Sequence, residues 1–74
     1  MYIESFASRL RKARANTGFT QREIAKELNI SKSTIASYET GRTEPDIETL
    51  GTLADFYNVS VDWLLGISKK KDNE

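Results

Sequence analysis

The stretch from Thr20 to Glu39 constrains the fold more than any other part of the chain. The Thr20 hydroxyl can accept from the exposed amides of a first helical turn, and Glu23, three residues on, can reach back to the Thr20 amide. This capping box sets a helix start at Gln21. Ile24, Ala25 and Leu28 then form one apolar face. Asn29 tolerates a left-handed backbone, so it can end this helix and begin a tight turn. Ile30 dips inward, and Ser31 is the next N-cap, with Thr34 at the third helical position. A third segment, Lys32 to about Glu39, buries Ile35 and Tyr38. Ala25 is small where the following helix crosses it. Two short helices spaced this way pack near a right angle and leave the outer face of the second exposed.

Three more helical segments surround this pair. The first runs from about Ser5 to Asn16, with Phe6, Leu10 and Ala13 as its stripe and Gly18 as a left-handed C-cap. Thr40-Gly41-Arg42-Thr43 reads as a loop, and Pro45 stiffens its exit. Asp46 caps a fourth segment whose stripe is Leu50, Leu53, Ala54 and Tyr57. After the turn Asn58-Val59-Ser60, Ser60 caps a fifth, Val61 to Leu65, which Gly66 ends. The expected core is Phe6, Leu10, Ile24, Ala25, Leu28, Ile30, Ile35, Tyr38, Leu50, Leu53, Val59, Val61 and Leu64. The fold class is therefore all-α, five helices in one domain over residues 1–67. Residues 68–74 have nothing to bury and read as a polar mobile tail or the start of a linker.

Several function classes recede on composition. The sequence has 74 residues with no cysteine and no histidine. Thiolate metal sites and disulfides are thereby excluded, and the commonest metal ligand and general base are missing. A domain this small is a poor host for a substrate pocket, so catalysis is not expected and no cofactor is implied. No apolar run is long enough for a membrane span, and Met1-Tyr2-Ile3-Glu4 does not begin like a signal peptide.

Formal net charge is zero, but the charges are segregated. Residues 1–32 carry seven basic and three acidic side chains, a net of +4. Residues 43–67 carry five acids and no base, a net of −5. One face toward phosphate and another away from it would give this pattern, and so would ordinary solvated helix surfaces. Charge alone leaves both open.

Taken together, these landmarks resemble the lambda-repressor-like, or Xre-type, helix-turn-helix family of phage and bacterial DNA-binding domains. They are Arg11-Lys12-Ala13-Arg14, Gly18-Phe19-Thr20-Gln21-Arg22-Glu23-Ile24-Ala25, Leu28-Asn29-Ile30-Ser31, Thr34-Ile35-Ala36-Ser37-Tyr38-Glu39-Thr40-Gly41-Arg42, Pro45, and Val59-Ser60-Val61-Asp62-Trp63-Leu64-Leu65-Gly66. The resemblance covers about residues 5–66. Two departures are Asn29, where many members have glycine, and the short Thr43-Glu44-Pro45 loop, which lacks the extra basic residues of some phage members.

The resemblance implies that helices 2 and 3 form the helix-turn-helix and that helix 3 lies in the major groove of an operator. By position, Lys32, Ser33, Thr34 and Ser37 would face the bases. Lysine can donate to guanine, hydroxyls can donate or accept, and the threonine methyl can touch thymine. Gln21 would contact a phosphate at the start of helix 2, and its amide can also brace the first residue of helix 3. Arg42 and Ser31 are further phosphate candidates, with Arg11 and Arg22 behind them. Arg14 and Glu39 would form a partly buried ion pair linking helix 1 to the end of helix 3. The implied function is a cytoplasmic, bacterial or phage-encoded transcriptional regulator, most often a repressor, nucleoid-associated when bound.

Phe56, Trp63 and Leu65 exceed what so small a core needs. Clustered near helix 5, they could form a two-fold interface, giving a homodimer on a near-palindromic operator. The alternative reading is an antitoxin or a helical protein-binding adaptor, motivated by zero net charge and the same surplus apolar residues.

Overall fold

The computed structural model describes residues 1–71 and contains five helices, α1 (Tyr2–Thr17), α2 (Gln21–Leu28), α3 (Lys32–Thr40), α4 (Ile47–Tyr57) and α5 (Val61–Leu64). No strand occurs among the described residues. The long α1 packs against α3, α4 and α5, while α2 packs on α3 and α4 on α5.

Local chemistry sets most of the boundaries. Thr20 accepts from the Glu23 amide at 3.1 Å, and the Glu23 carboxylate accepts from the Thr20 amide at 2.8 Å, completing the capping box. Ser31, Asp46 and Ser60 cap α3, α4 and α5 by accepting from Thr34, Thr49 and Trp63 amides. Asn29 takes a left-handed backbone at φ 56° and ends α2, and Asn58 does the same for α4. Gly41 ends α3 at φ 75°, with the Arg42 amide donating back to the Ser37 carbonyl.

The start of α1 differs from expectation. The helix begins at Tyr2, because Ile3 lies one turn before Phe6 and extends the same apolar stripe onto the core. The core itself holds Phe6, Leu10, Ile24, Ile35, Leu53, Val59 and Leu64 almost without exposure. Of the expected core, Leu28, Ile30, Leu50 and Val61 are only partly buried and pack on its margin. Ala7, Ala13, Ala54, Tyr57 and Trp63 are buried in addition.

The expected tail is tied down in part. The Lys71 carbonyl accepts from the Ser60 amide at 2.9 Å, and the Ser68 carbonyl accepts from Arg9 Nη1 at 3.0 Å. Residues 68–71 thus fold back over α5 instead of leaving the domain at 67. Asp72, Asn73 and Glu74 lie outside the described residues.

Candidate nucleic-acid interface

The outer side of α3 is built from the inside. Ile35, Tyr38 and Glu39 are buried at 1%, 8% and 1% exposure, so the inner face is fixed in the core. Lys32 and Ser33 are then exposed at the first turn, while Thr34 and Ser37 are half-covered. The four sequence-predicted base-reading residues therefore lie in the first two turns of one helix, though not on one line.

A hydroxyl cluster closes the start of this helix. Ser31 Oγ accepts from the Thr34 amide at 3.1 Å, lies 2.7 Å from Thr34 Oγ1 and 3.3 Å from Ser33 Oγ. Ser31 is therefore first a cap. Arg22 and Arg42 are exposed, the former in the first turn of α2 and the latter just beyond α3.

Behind α3, Glu39 organises three elements. Its carboxylate receives Arg14 Nε at 2.8 Å on Oε2 and Arg14 Nη2 at 3.1 Å on Oε1. Gln21 Nε2 donates to the same Oε1 at 3.0 Å. Arg14 Nη1 also donates to the Phe19 carbonyl at 3.0 Å. One arginine thus joins α1, the α1–α2 turn and the last turn of α3. The hydrogen bond to Glu39 raises the Arg14 pKa above its ordinary value, against the opposing effect of burial. Nearby Tyr57 is pushed up to about 12, first by burial and then by the Glu39 carboxylate, with Arg14 opposing.

Two residues sit elsewhere than the sequence suggested. The Gln21 amide braces Glu39 in the last turn of α3, not Lys32 in the first. A buried carboxylate is a stronger acceptor than anything lysine offers, since an ammonium group only donates. Arg11, counted among possible phosphate contacts, donates through Nη1 to the Glu39 main-chain carbonyl. It satisfies a carbonyl in the last turn of α3, where helices leave such groups without partners. Nothing in the local sequence announces that contact, which spans 28 residues.

The three surplus apolar residues are divided. Trp63 is 6% exposed and lies within its own domain, with the Arg9 guanidinium 5.0 Å and the Lys71 ammonium 5.3 Å from its ring centre. Its burial corrects its assignment to an interface, because the strap of residues 68–71 and α1 already cover it. Phe56 is half-buried and packs at 5.9 Å on Phe19 and 5.2 Å on Tyr57. Leu65 is half-buried and lines a cavity of about 230 Å³ with Tyr2, Ile3, Phe6, Pro45 and Leu50.

A helix-turn-helix family model (HTH_3) matches residues 10–64, the span that contains the capped α2–turn–α3 unit and its bracing helices. The chain belongs to the lambda-repressor-like helix-turn-helix family. Its members are DNA-binding transcriptional regulators. The chain is 42% identical over 73 residues to the HTH-type transcriptional regulator ImmR of Bacillus subtilis (strain 168), covering 95% of this chain and 58% of ImmR. It is 40% identical over 60 residues to the SPbeta prophage-derived regulator YonR of the same organism, covering 81% of this chain and 56% of YonR. It is also 33% identical over 69 residues to the cryptic phage CTXphi transcriptional repressor RstR of Vibrio cholerae, covering 93% of this chain and 62% of RstR. The chain therefore spans somewhat over half the length of these curated relatives. In this helix-turn-helix frame, the Arg14–Glu39–Gln21 network holds the outer face of α3 at a fixed angle to the start of α2.

Proposed function

We propose that this chain binds a specific double-stranded DNA site by laying α3 in the major groove, and that it represses transcription by occupying an operator. The observation that carries this reading is the division of α3. Its inner face is locked by Ile35, Tyr38 and the braced Glu39, while Lys32 and Ser33 stand outward and Thr34 and Ser37 are half-covered. A fixed helix with a polar outer face matches the width and depth of the major groove.

Lys32, Ser33, Thr34 and Ser37 read base edges in this proposal. Gln21, Ser31, Arg22 and Arg42 touch phosphates, Gln21 with the amide hydrogen that Glu39 does not take. The helix N-terminus at Gln21 adds its own partial positive charge. Arg11 contributes field more than contact. Two copies bind as a homodimer, related by a two-fold axis and placing their α3 helices about 34–36 Å apart on a near-palindromic operator. Leu65 and Phe56 contribute to that contact from half-buried positions. The acidic α4 and α5 surfaces point away from the duplex, and the protein works in the bacterial cytoplasm on the nucleoid.

Selection from a random duplex library at moderate salt tests the reading. A two-fold motif with half-sites one turn apart is expected, with affinity that falls steeply as salt rises. No enrichment by folded protein would refute sequence-specific binding. On the selected site, Lys32→Ala should change base preference, whereas Arg22→Ala should weaken cognate and scrambled duplexes alike.

A further inference from the structure

The outward stripe of α3 carries only short side chains. Ser33, Ala36, Ser37 and Thr40 fall at i, i+3, i+4 and i+7, so they share one face, opposite the buried Ile35, Tyr38 and Glu39. Several hydroxyls near this face are already engaged. Thr40 Oγ1 donates back to the Ala36 and Ser37 carbonyls, at 3.0 and 3.2 Å. Thr34 Oγ1 and Ser33 Oγ both lie on Ser31 Oγ, at 2.7 and 3.3 Å. The helix contains no arginine, asparagine or glutamine, so Lys32 alone can read a purine edge with two hydrogen bonds. Lys32 is its one long polar reach.

What the stripe offers instead is closeness and methyl surface. No side chain on it is larger than threonine, so the helix backbone can come nearer to the base edges than a helix carrying long side chains. Ala36 sits at its centre, half-covered and without a polar atom beyond its backbone. Thymine is the one base that displays an apolar group in the major groove, its C5 methyl.

We infer that Ala36 is a specificity-determining residue of α3, whose methyl packs against the C5 methyl of a thymine in each half-site, with Ser33 and Ser37 kept small to let the helix approach. The inference rests on the DNA-binding reading above and adds to it the class of base contact that α3 makes.

Deoxyuridine keeps the hydrogen-bonding edge of thymine and lacks only the methyl. In the selected duplex, each thymine is replaced by deoxyuridine in turn, and affinity is measured by fluorescence anisotropy. At one position per half-site the replacement should weaken binding about fourfold, the worth of one buried methyl-sized group. In Ala36→Gly that penalty should vanish. Because each comparison is made within one variant, any weakening of the helix by glycine cancels. In Ala36→Val the preference should reverse, uracil binding better than thymine, since the larger side chain collides with the methyl. A penalty that persists unchanged in both variants, or no thymine sensitive to loss of its methyl, overturns the inference while leaving specific DNA binding intact. Failure to select any site overturns the DNA-binding reading itself.

Discussion

Arg14 grips Glu39 through two hydrogen bonds, but the two side chains are unequally exposed, 23% for arginine and 2% for glutamate. The asymmetry decides what breaking the pair costs. Without Arg14, a carboxylate remains buried with only the Gln21 amide to face it, and an uncompensated buried charge costs about 3–5 kcal/mol. Without Glu39, the arginine can swing its head toward water. Arg14→Met should therefore destabilise the domain by about 3–5 kcal/mol and Glu39→Leu by clearly less, with the double variant close to Glu39→Leu alone. Urea unfolding of the three variants measures this. Equal losses for the two single variants would refute the asymmetry.

Two glycines make opposite predictions. Gly66 has φ +80°, and a Cβ there would lie 2.7 Å from Ser5 Oγ and 2.8 Å from Ser5 Cβ. Gly66→Ala should cost about 1–3 kcal/mol, and Ser5→Gly in the same chain should recover only the part due to collision, because the backbone strain stays. Gly51 lies in α4 with nothing within 4 Å of its would-be Cβ. Gly51→Ala should raise stability by about 1 kcal/mol through helix propensity alone. Thermal melts of both variants would show shifts of opposite sign.

The sequence made the α2–turn–α3 unit legible because its determinants are local. Thr20, Glu23, Asn29 and Ser31 act within a few residues of themselves, and the same holds for Asp46 and Ser60. The Arg14–Glu39 position came from family resemblance and is met in the structure at hydrogen-bonding distance. What stayed hidden depends on contacts far apart in sequence. Arg9 reaches carbonyls 54 and 59 residues away, and Arg11 one that is 28 residues away, so neither contact is visible in the local sequence, where Arg11 reads as a phosphate candidate. Trp63 looked surplus because the strap that covers it is made of lysines and serine. Ala36 is not among the expected base readers, because alanine announces no chemistry until the short side chains around it on the outward stripe are seen together.

Arg9 fixes the end of the described chain. Its Nη1 donates to the Trp63 carbonyl at 2.7 Å and the Ser68 carbonyl at 3.0 Å, while the guanidinium stacks 5.0 Å from the indole centre. Trp63 is the one tryptophan in the sequence, so its fluorescence reports on this contact directly. Arg9→Gln should shift the emission to longer wavelength and increase acrylamide quenching, with a stability loss of about 1–2 kcal/mol. Lys71→Gln should give a smaller change of the same sign. An unaltered spectrum in Arg9→Gln would mean that Trp63 is sealed by the core alone.

The cap of α4 should make the domain sensitive to acid. Asp46 Oδ1 accepts from the Thr49 amide at 2.8 Å, and hydrogen bonds from Thr49, the side chain's first and the amide's next, hold the carboxyl below its ordinary value. A carboxyl whose pKa is lowered on folding gives stability that is fully present above the unfolded value, near 4, and is lost as pH falls through the folded value. Asp46→Asn keeps an oxygen to accept from the Thr49 amide but cannot titrate. The native chain should therefore lose thermal stability more steeply than Asp46→Asn between about pH 4 and pH 2, and the two melting temperatures should converge at the acid end. Parallel curves over that window would show that the Asp46 charge contributes nothing to the cap and that its oxygen alone holds the start of α4.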